Sequence, residues 1–547
     1  GNIFIDTEEL VLRDGAIISS SVLENGQGSG GDLIITADVL DIRDVGLLNL
    51  ETAINTFRDI GFVINEPSIQ ASPSRLAATT NEVGNAGNIL VNVRELILQN
   101  GGIIATATAR GSVGRGGNLT INASDEIILS GTQDTTDLFS QGENLEQNVD
   151  VFQNQADDNL PSSTFIPSLI ATDTLGDGRA GNLVINTGQL TVRDGAAISS
   201  STSSRNPEAV GGQATIIASD GILLEGTAPN GFSSGLYAQS FADARAGDMT
   251  IQIRDGDLVL RDNARVTVAS GSASDARLPI GLPPFTSRNT VATGNAGELT
   301  IEASSIFMSD DSSITAETAS GEGGNITVSV DDIIFLENNS DIRTVAGGTG
   351  NGGNIALNAG VAILAQLPED SDVIANAFEG NGGNIFASAP LILGFRQFDG
   401  VDTSESDFVA SSELGLDGNV NFDTNDPPEP EDPPIDFVVP EVNQGCLTSR
   451  RSRAARFRDL GRGGLSINPY EPLSNSGLVD DIRLPRYLDS SSSDIENAND
   501  AVDAIDQIIE AHYWSTDEAG NTILIADNIP VSESDRSTEQ VNHCQIH

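Results

Sequence analysis

Gly117-Asn118-Leu119-Thr120-Ile121-Asn122-Ala123, followed by Glu126-Ile127-Ile128-Leu129, is the stretch from which the fold is read. Leu119, Ile121 and Ala123 alternate with polar neighbours, which is the pattern of a strand with one buried face. The same shape returns at Gly181-Asn182-Leu183-Val184-Ile185 before Leu190-Thr191-Val192, and at Gly324-Asn325-Ile326-Thr327-Val328 before Ile333-Ile334-Phe335-Leu336. A third short run follows each pair. Arg13-Asp14-Gly15-Ala16-Ile17-Ile18-Ser19-Ser20 and Arg193-Asp194-Gly195-Ala196-Ala197-Ile198-Ser199-Ser200 are nearly identical, and Gln99-Asn100-Gly101-Gly102-Ile103-Ile104-Ala105-Thr106 is close. Their Asp-Gly and Asn-Gly pairs supply a tight corner.

Working outward, the glycine that opens the pattern stands at 1, 31, 87, 117, 181, 212, 247, 297, 324, 353, 383 and 418. Most successive gaps lie between 27 and 35 residues, and two, of 56 and 64, are about double, so a unit of some 30 residues repeats with insertions. Three short strands per unit, joined by corners, read as one coil of a parallel β-solenoid over residues 1–425. Coils stacked at ~4.8 Å, about twelve to twenty of them, predict a rod of roughly 60 to 100 Å. Its narrow lumen is expected to hold stacked Ile, Leu, Val and Ala. After the repeat glycine stand Asn2, Asn88, Asn118, Asn182, Asn325, Asn354, Asn384 and Asn419, with Asp32, Gln213, Asp248 and Glu298 in the other units. An amide can donate to one coil and accept from another, so these asparagines predict a structural ladder, in preference to glycosylation at Asn118, Asn325 or Asn338. Polar loops at about 131–175, 50–84 and 270–293, the last with Pro279, Pro283 and Pro284, are expected to project from the rod and carry recognition.

Composition agrees with an elongated plan. The 547 residues exceed one ordinary compact core. Against 27 basic residues, all arginine, stand 79 acidic ones, a net charge of −52 that argues against nucleic acid or an anionic membrane surface as partner. Aromatics make up 4%, whereas 38% of residues are hydrophobic and still permit a buried core. No segment reaches the ~18 apolar residues of a membrane span, so the chain is not expected to span one.

At Asp426 the composition breaks into Asp426-Pro427-Pro428-Glu429-Pro430-Glu431-Asp432-Pro433-Pro434, giving an acidic, proline-rich linker over 426–445. Residues 446–547 then read as a small C-terminal α+β domain. Ile495, Ala498, Val502, Ile505 and Ile509 recur at helical spacing behind a cap at Ser493 or Asp494. Tyr513-Trp514-Ser515 and Thr522-Ile523-Leu524-Ile525-Ala526 read as a hairpin. Cys446 and Cys544 are candidates for one disulfide closing this domain, with two free thiols as the alternative. The cluster between Arg450 and Arg462 pairs with the acidic linker or docks on an anionic polymer.

Taken together, the Gly-Asn-(Ile/Leu) units and the Arg-Asp-Gly-Ala-x-Ile-Ser-Ser corners resemble the filamentous-haemagglutinin-like exoproteins of two-partner secretion, particularly their large cyanobacterial branch. The tail is similar too: Cys446, Gly461-Arg462-Gly463-Gly464-Leu465, Asn468-Pro469-Tyr470-Glu471-Pro472-Leu473, Asp481-Ile482-Arg483-Leu484 and Glu510-Ala511-His512-Tyr513-Trp514. The resemblance implies an all-β fold, a right-handed parallel β-helix, exported through an outer-membrane β-barrel transporter. It also implies display at the outer-membrane surface or release as an adhesin-like protein that binds cell-surface or matrix carbohydrate or protein. The family's N-terminal secretion domain has no match in these residues. Since Gly1-Asn2-Ile3 is already a repeat motif, the chain is expected to start inside a longer parent.

No catalytic constellation emerges, and no cofactor is expected. Asp157-Asp158, Asp310-Asp311 and Asp331-Asp332 are paired carboxylates without a repeated cation suited to stabilising a carbanion, so a β-helical polysaccharide lyase or hydrolase is the second alternative behind a structural surface-layer scaffold. Gly176-Asp177-Gly178 and Asp255-Gly256-Asp257 match neither calcium-loop pattern, leaving diffuse calcium binding. His543-Cys544-x-x-His547 offers metal-ligating types, but a tail with a disulfide is preferred; His512 stands alone.

Overall fold

The computed structural model describes residues 1–22, 28–49, 69–80, 84–108, 114–134, 165–174, 176–271, 292–367, 369–397, 403–424, 513–516 and 522–525. The chain divides into two units, Gly1–Phe437 and Val438–His547. Every regular element among the described residues is a strand. Within the second unit, Tyr513–Thr516 pairs antiparallel with Thr522–Ile525, in the register Tyr513↔Ile525, which is the expected hairpin. The helix expected over 495–509, the acidic linker, Cys446 and Cys544, the 450–462 arginines and all three histidines lie outside the described residues.

The first unit is a parallel β-helix. Each of the twelve repeat glycines opens one coil, and the first strand of each coil pairs in parallel with that of the next. In the first six coils the first and second strands run together, as in Ile3–Leu12, Ile89–Gln99 and Leu119–Ser130. From Gly247 onward they separate, as in Met249–Ile253 and Asp257–Arg261. These strands form a 17-stranded sheet, and the short third strands form a 12-stranded one. Twelve coil starts make eleven steps, about 50 Å at ~4.8 Å per step, just under the expected range.

Strand alternation fills the lumen with vertical stacks. Leu33, Ile89, Leu119 and Leu183 lie in register in one stack, and Leu76, Ile104, Ile170 and Ile198 in another, all essentially inaccessible to water. At ~1.5 to 3 kcal/mol per buried aliphatic side chain, the stacks supply the main stabilising term. Aromatic rings enter the lumen at the last coils, where Phe408 is fully buried and lies 4.5 Å from Phe395 and 5.1 Å from Phe422, centroid to centroid.

Two sequence expectations need correction. The 56- and 64-residue gaps each hold one coil, and the loops expected at 50–84 and 131–175 contain that coil's third strand, Arg75–Ala77 and Leu169–Ala171. A three-residue strand sends one side chain inward, Leu76 or Ile170, which leaves no periodicity to detect. The 270–293 loop departs at a different corner, after Ser270, whose bridges to Ser240 and Thr318 close the third-strand side of the coil.

The asparagine column forms a chain of hydrogen bonds, chiefly from backbone to side chain. Asn88 Oδ1 accepts the N–H of Asn118 at 2.9 Å, and Asn118 Oδ1 that of Asn182 at 2.9 Å. Asn2 Oδ1 accepts from Asp32, Asn182 from Gln213, and Asn384 from Asn419. Asp32 and Asp248 serve equally, accepting the N–H of Asn88 and Glu298. Amide-to-amide bonds are added at Asn354, which donates to Asn325 Oδ1 at 3.1 Å and accepts from Asn384 at 3.0 Å. A parallel ladder, three residues earlier, links Asn295, Glu322, Asn351 and Asn381 in the same manner. Since the primary role is acceptance, Asn354→Ala should cost about 1 kcal/mol and speed exchange of the Asn384 amide, while Asn354→Asp should keep that amide protected. Equal exchange in both variants would contradict the assignment.

Candidate binding edge

The corner between second and third strands carries the insertions at 50–68 and 135–164, and over the first six coils two kinds of coil alternate there. In the first kind the backbone turns at once. Asp14-Gly15, Asn100-Gly101 and Asp194-Gly195 all have positive φ, of 54° and 84°, 49° and 89°, and 58° and 81°. Each turn is closed by the N–H of Ala16, Gly102 or Ala196 donating to the carbonyl of Arg13, Gln99 or Arg193. Left-handed backbone at two successive positions explains why aspartate or asparagine and then glycine occupy them.

In the second kind the chain leaves the coil at Asp44, Gly131 or Gly226, each with φ between 67° and 79°. From Asp44 it enters an antiparallel stem, Val45–Asn49 with Ile69–Pro73. From Gly131 it enters a second, Thr132–Asp134 with Phe165–Pro167. From Gly226 it makes a small loop closed by a Thr227–Ser233 bridge. The coils with insertions are thus those that begin at Gly31, Gly117 and Gly212, every second one of the first six.

A buried serine marks each re-entry. The hydroxyl oxygens of Ser74, Ser168 and Ser234 accept the N–H of Gly15, Gly101 and Gly195 at 3.0, 3.2 and 2.8 Å, tying each inserted coil to the tight turn of the coil before it. Against this edge lies an apolar layer outside the lumen. Val45, Ile166, Ala228 and Phe232 from the insertions pack with Ile103, Leu169, Ala197 and Tyr237 on the outer face of the third strands. Tyr237 donates its hydroxyl to the Ser233 carbonyl at 2.6 Å and lies 5.5 Å from the Phe232 ring. Burial holds the Tyr237 hydroxyl protonated far above the usual phenol range, with Arg265 opposing weakly. The insertion stems are therefore anchored to the rod by a second core.

Beside this layer, Asp173 is buried on the coil that begins at Gly117. Its Oδ1 accepts from the Ser199 hydroxyl at 2.6 Å and the Ser201 N–H at 2.7 Å. Burial outweighs both bonds and pushes its carboxyl up to about 6.

The paired carboxylates weighed as catalytic have backbone roles. Asp310-Asp311 has φ of 57° and 59° and is the corner of its coil, with Asn338-Asn339 in the next coil at 51° and 61°. Asn338 and Asn339 donate to Asp310 and Asp311 at 2.9 and 2.6 Å. Asp331-Asp332 turns the chain between first and second strands, both N–H groups donating to carbonyls of Ala303 and Ser304 in the coil before. Asp157-Asp158 lies outside the described residues. Asp177 and Asp255 are exposed. Among the described residues no three of His, Cys, Asp and Glu are grouped to hold a metal ion, and no helix is long and apolar enough to cross a membrane, which says nothing of a β-barrel. The asparagine column belongs to the scaffold, away from the insertion edge. The alternation of turns and insertions, the serine ties and Asp173 were not anticipated; the signal for the first was present in the two double-length gaps.

No family model, curated protein or solved structure matches the chain.

Proposed function

We propose that this chain is the binding rod of a secreted or surface-displayed adhesin-like exoprotein, similar to the filamentous-haemagglutinin-like proteins of two-partner secretion and exported through an outer-membrane β-barrel transporter. In this reading the insertions contact cell-surface or matrix carbohydrate or protein. The observation that carries it is the placement of stems on one edge, at alternate coils, each pinned by a serine and a shared apolar layer. Such anchoring holds the inserted segments at a fixed spacing on a rigid support, which suits recognition. The repeat motifs and the tail residues that carry the family resemblance support the same reading.

The test removes residues 50–68 and 135–164 and closes each stem with an Asn-Gly turn, so that Val45–Asn49, Ile69–Pro73, Thr132–Asp134 and Phe165–Pro167 stay in place. Binding to cell surfaces or matrix should fall by about ten-fold or more with the β-sheet circular dichroism unchanged. Undiminished binding by the shortened rod would refute the role of the insertions.

A further inference from the structure

A second feature lies on the outer face, where first strands meet second strands. A shallow groove of about 670 Å³ follows this bend from Asp38 to Arg254, across the coils that begin at Gly31 through Gly247. Five coil steps of ~4.8 Å give it a length of about 24 Å. One column of the sheet lines it: Asn92, Asn122, Asn186 and Ile217 are in register. Asn122 donates its Nδ2 to Asn92 Oδ1, and Asn186 its Nδ2 to Asn122 Oδ1, both at 2.8 Å. The bonds orient the amides, and each keeps hydrogen-bonding capacity beyond the ladder. The ladder stops at Ile217, which offers Asn186 Oδ1 no donor. Beside the amides, Val93 and Ala123 give small apolar floor positions. Bends of one residue, Arg94 and Gly188, interleave with bends of two, Ser124-Asp125 and Ser219-Asp220, so the rim is notched coil by coil.

From this geometry we infer that the groove binds a linear, uncharged polysaccharide lying along the rod axis. Oriented amides and hydroxyls match the paired donor and acceptor hydroxyls of a sugar ring, and the small apolar floor matches its C–H face. The coil step is close to the length of one pyranose residue, so successive sugars meet equivalent positions. Charge favours the neutral class: of the two lining arginines, Arg94 is bonded to Asp125 at 3.0 Å and Arg254 stands at one end of the groove with Asp38 at the other, while the chain as a whole repels polyanions with a net charge of −52. Without aromatic stacking, affinity must accumulate over several sugars. The inference rests on the reading of the chain as a binding rod, but locates a ligand on the rod itself instead of on its insertions.

Titration calorimetry of the full chain with β-1,4-linked glucose oligomers of two to eight units, and with galacturonate oligomers of the same lengths, tests it. Affinity for the glucose series should rise with each added unit and level off near five or six, and the galacturonates should bind at least about ten-fold more weakly. Asn122→Ala with Asn186→Ala should lower glucan affinity about ten-fold or more at unchanged circular dichroism. Ile217→Asn, which extends the ladder by one coil, should raise glucan affinity by about two-fold or more, and keeps the test decisive if the double variant misfolds. A flat length series, equal galacturonate binding or indifference to these substitutions overturns the groove. Loss of surface binding on shortening the insertions, with glucan binding absent, would sink the groove alone; glucan binding by a rod that adheres to no surface or matrix would sink only the adhesin reading.

Discussion

Gly181→Ala should cost roughly 3 kcal/mol or more, while Gly1→Ala should leave stability unchanged. The twelve repeat glycines stand in one column, and a methyl group on Gly181 would meet the carbonyl oxygen of Gly117 deep inside van der Waals contact. The same holds at every later position: Gly212 meets Gly181, Gly247 meets Gly212, Gly324 meets Gly297 and Gly418 meets Gly383. None of these glycines has a left-handed φ, so the requirement is steric: the backbones of successive coils approach too closely for any side chain. Because the obstacle is backbone, it gives way only if the coils separate, which also breaks the flanking Asn182-to-Asn118 hydrogen bond. Gly1 has nothing within 4 Å of such a methyl and serves as the control. In a solenoid the damage should concentrate at one interface, so amide exchange should accelerate around the Gly117 and Gly181 coils before the distant ones. A Gly181→Ala protein with the unfolding midpoint of Gly1→Ala would show that the column is not under this constraint.

That column was the most legible element of the sequence, because a steric demand repeated every coil leaves the same residue each time. The alternation in Leu119-Thr120-Ile121-Asn122-Ala123 was equally plain, since inward and outward positions face different media. The acceptor role of the column asparagines was harder to see. Asp32 and Asp248 looked like departures until the bonds showed that the N–H of the following coil needs a short side-chain oxygen, supplied by aspartate as well. The edge was less legible again. Ser74, Ser168 and Ser234 are ordinary residues in sequence, and their partners Gly15, Gly101 and Gly195 lie 39 to 67 positions away, so only the stacking of coils brings them together. The acidic pairs gave no support for catalysis in the sequence, but their backbone role was not legible there either: at Asp310-Asp311 two adjacent left-handed positions select aspartate and asparagine on conformational grounds.

Asp173 leads to the second large effect, and its sign is opposite to that of an ordinary surface carboxylate. In the folded chain it titrates at about 6, against an ordinary value of 3.8. At 1.36 kcal/mol per unit, a rise of about two units is worth about 3 kcal/mol. Below pH ~3.8 both folded and unfolded chains hold the proton, and the group costs nothing. Between ~3.8 and ~6 the folded chain keeps a proton that the unfolded chain has released, so stability falls as pH rises, and by pH 7 the whole penalty of a buried, ionised carboxylate is present. Among the described residues Oδ1 accepts from the Ser199 hydroxyl and the Ser201 N–H, and asparagine can offer the same oxygen with a neutral amide nitrogen beside it. Asp173→Asn should therefore stabilise the coils around Gly117 and Gly181 by about 3 kcal/mol at pH 7 and by almost nothing at pH 4. Urea midpoints of the two proteins, subtracted at each pH, cancel the contribution of the remaining charges and isolate this one. A difference that stays constant from pH 4 to 7.5, or an asparagine protein less stable at neutral pH, would mean that the carboxylate is ionised and satisfied where it lies.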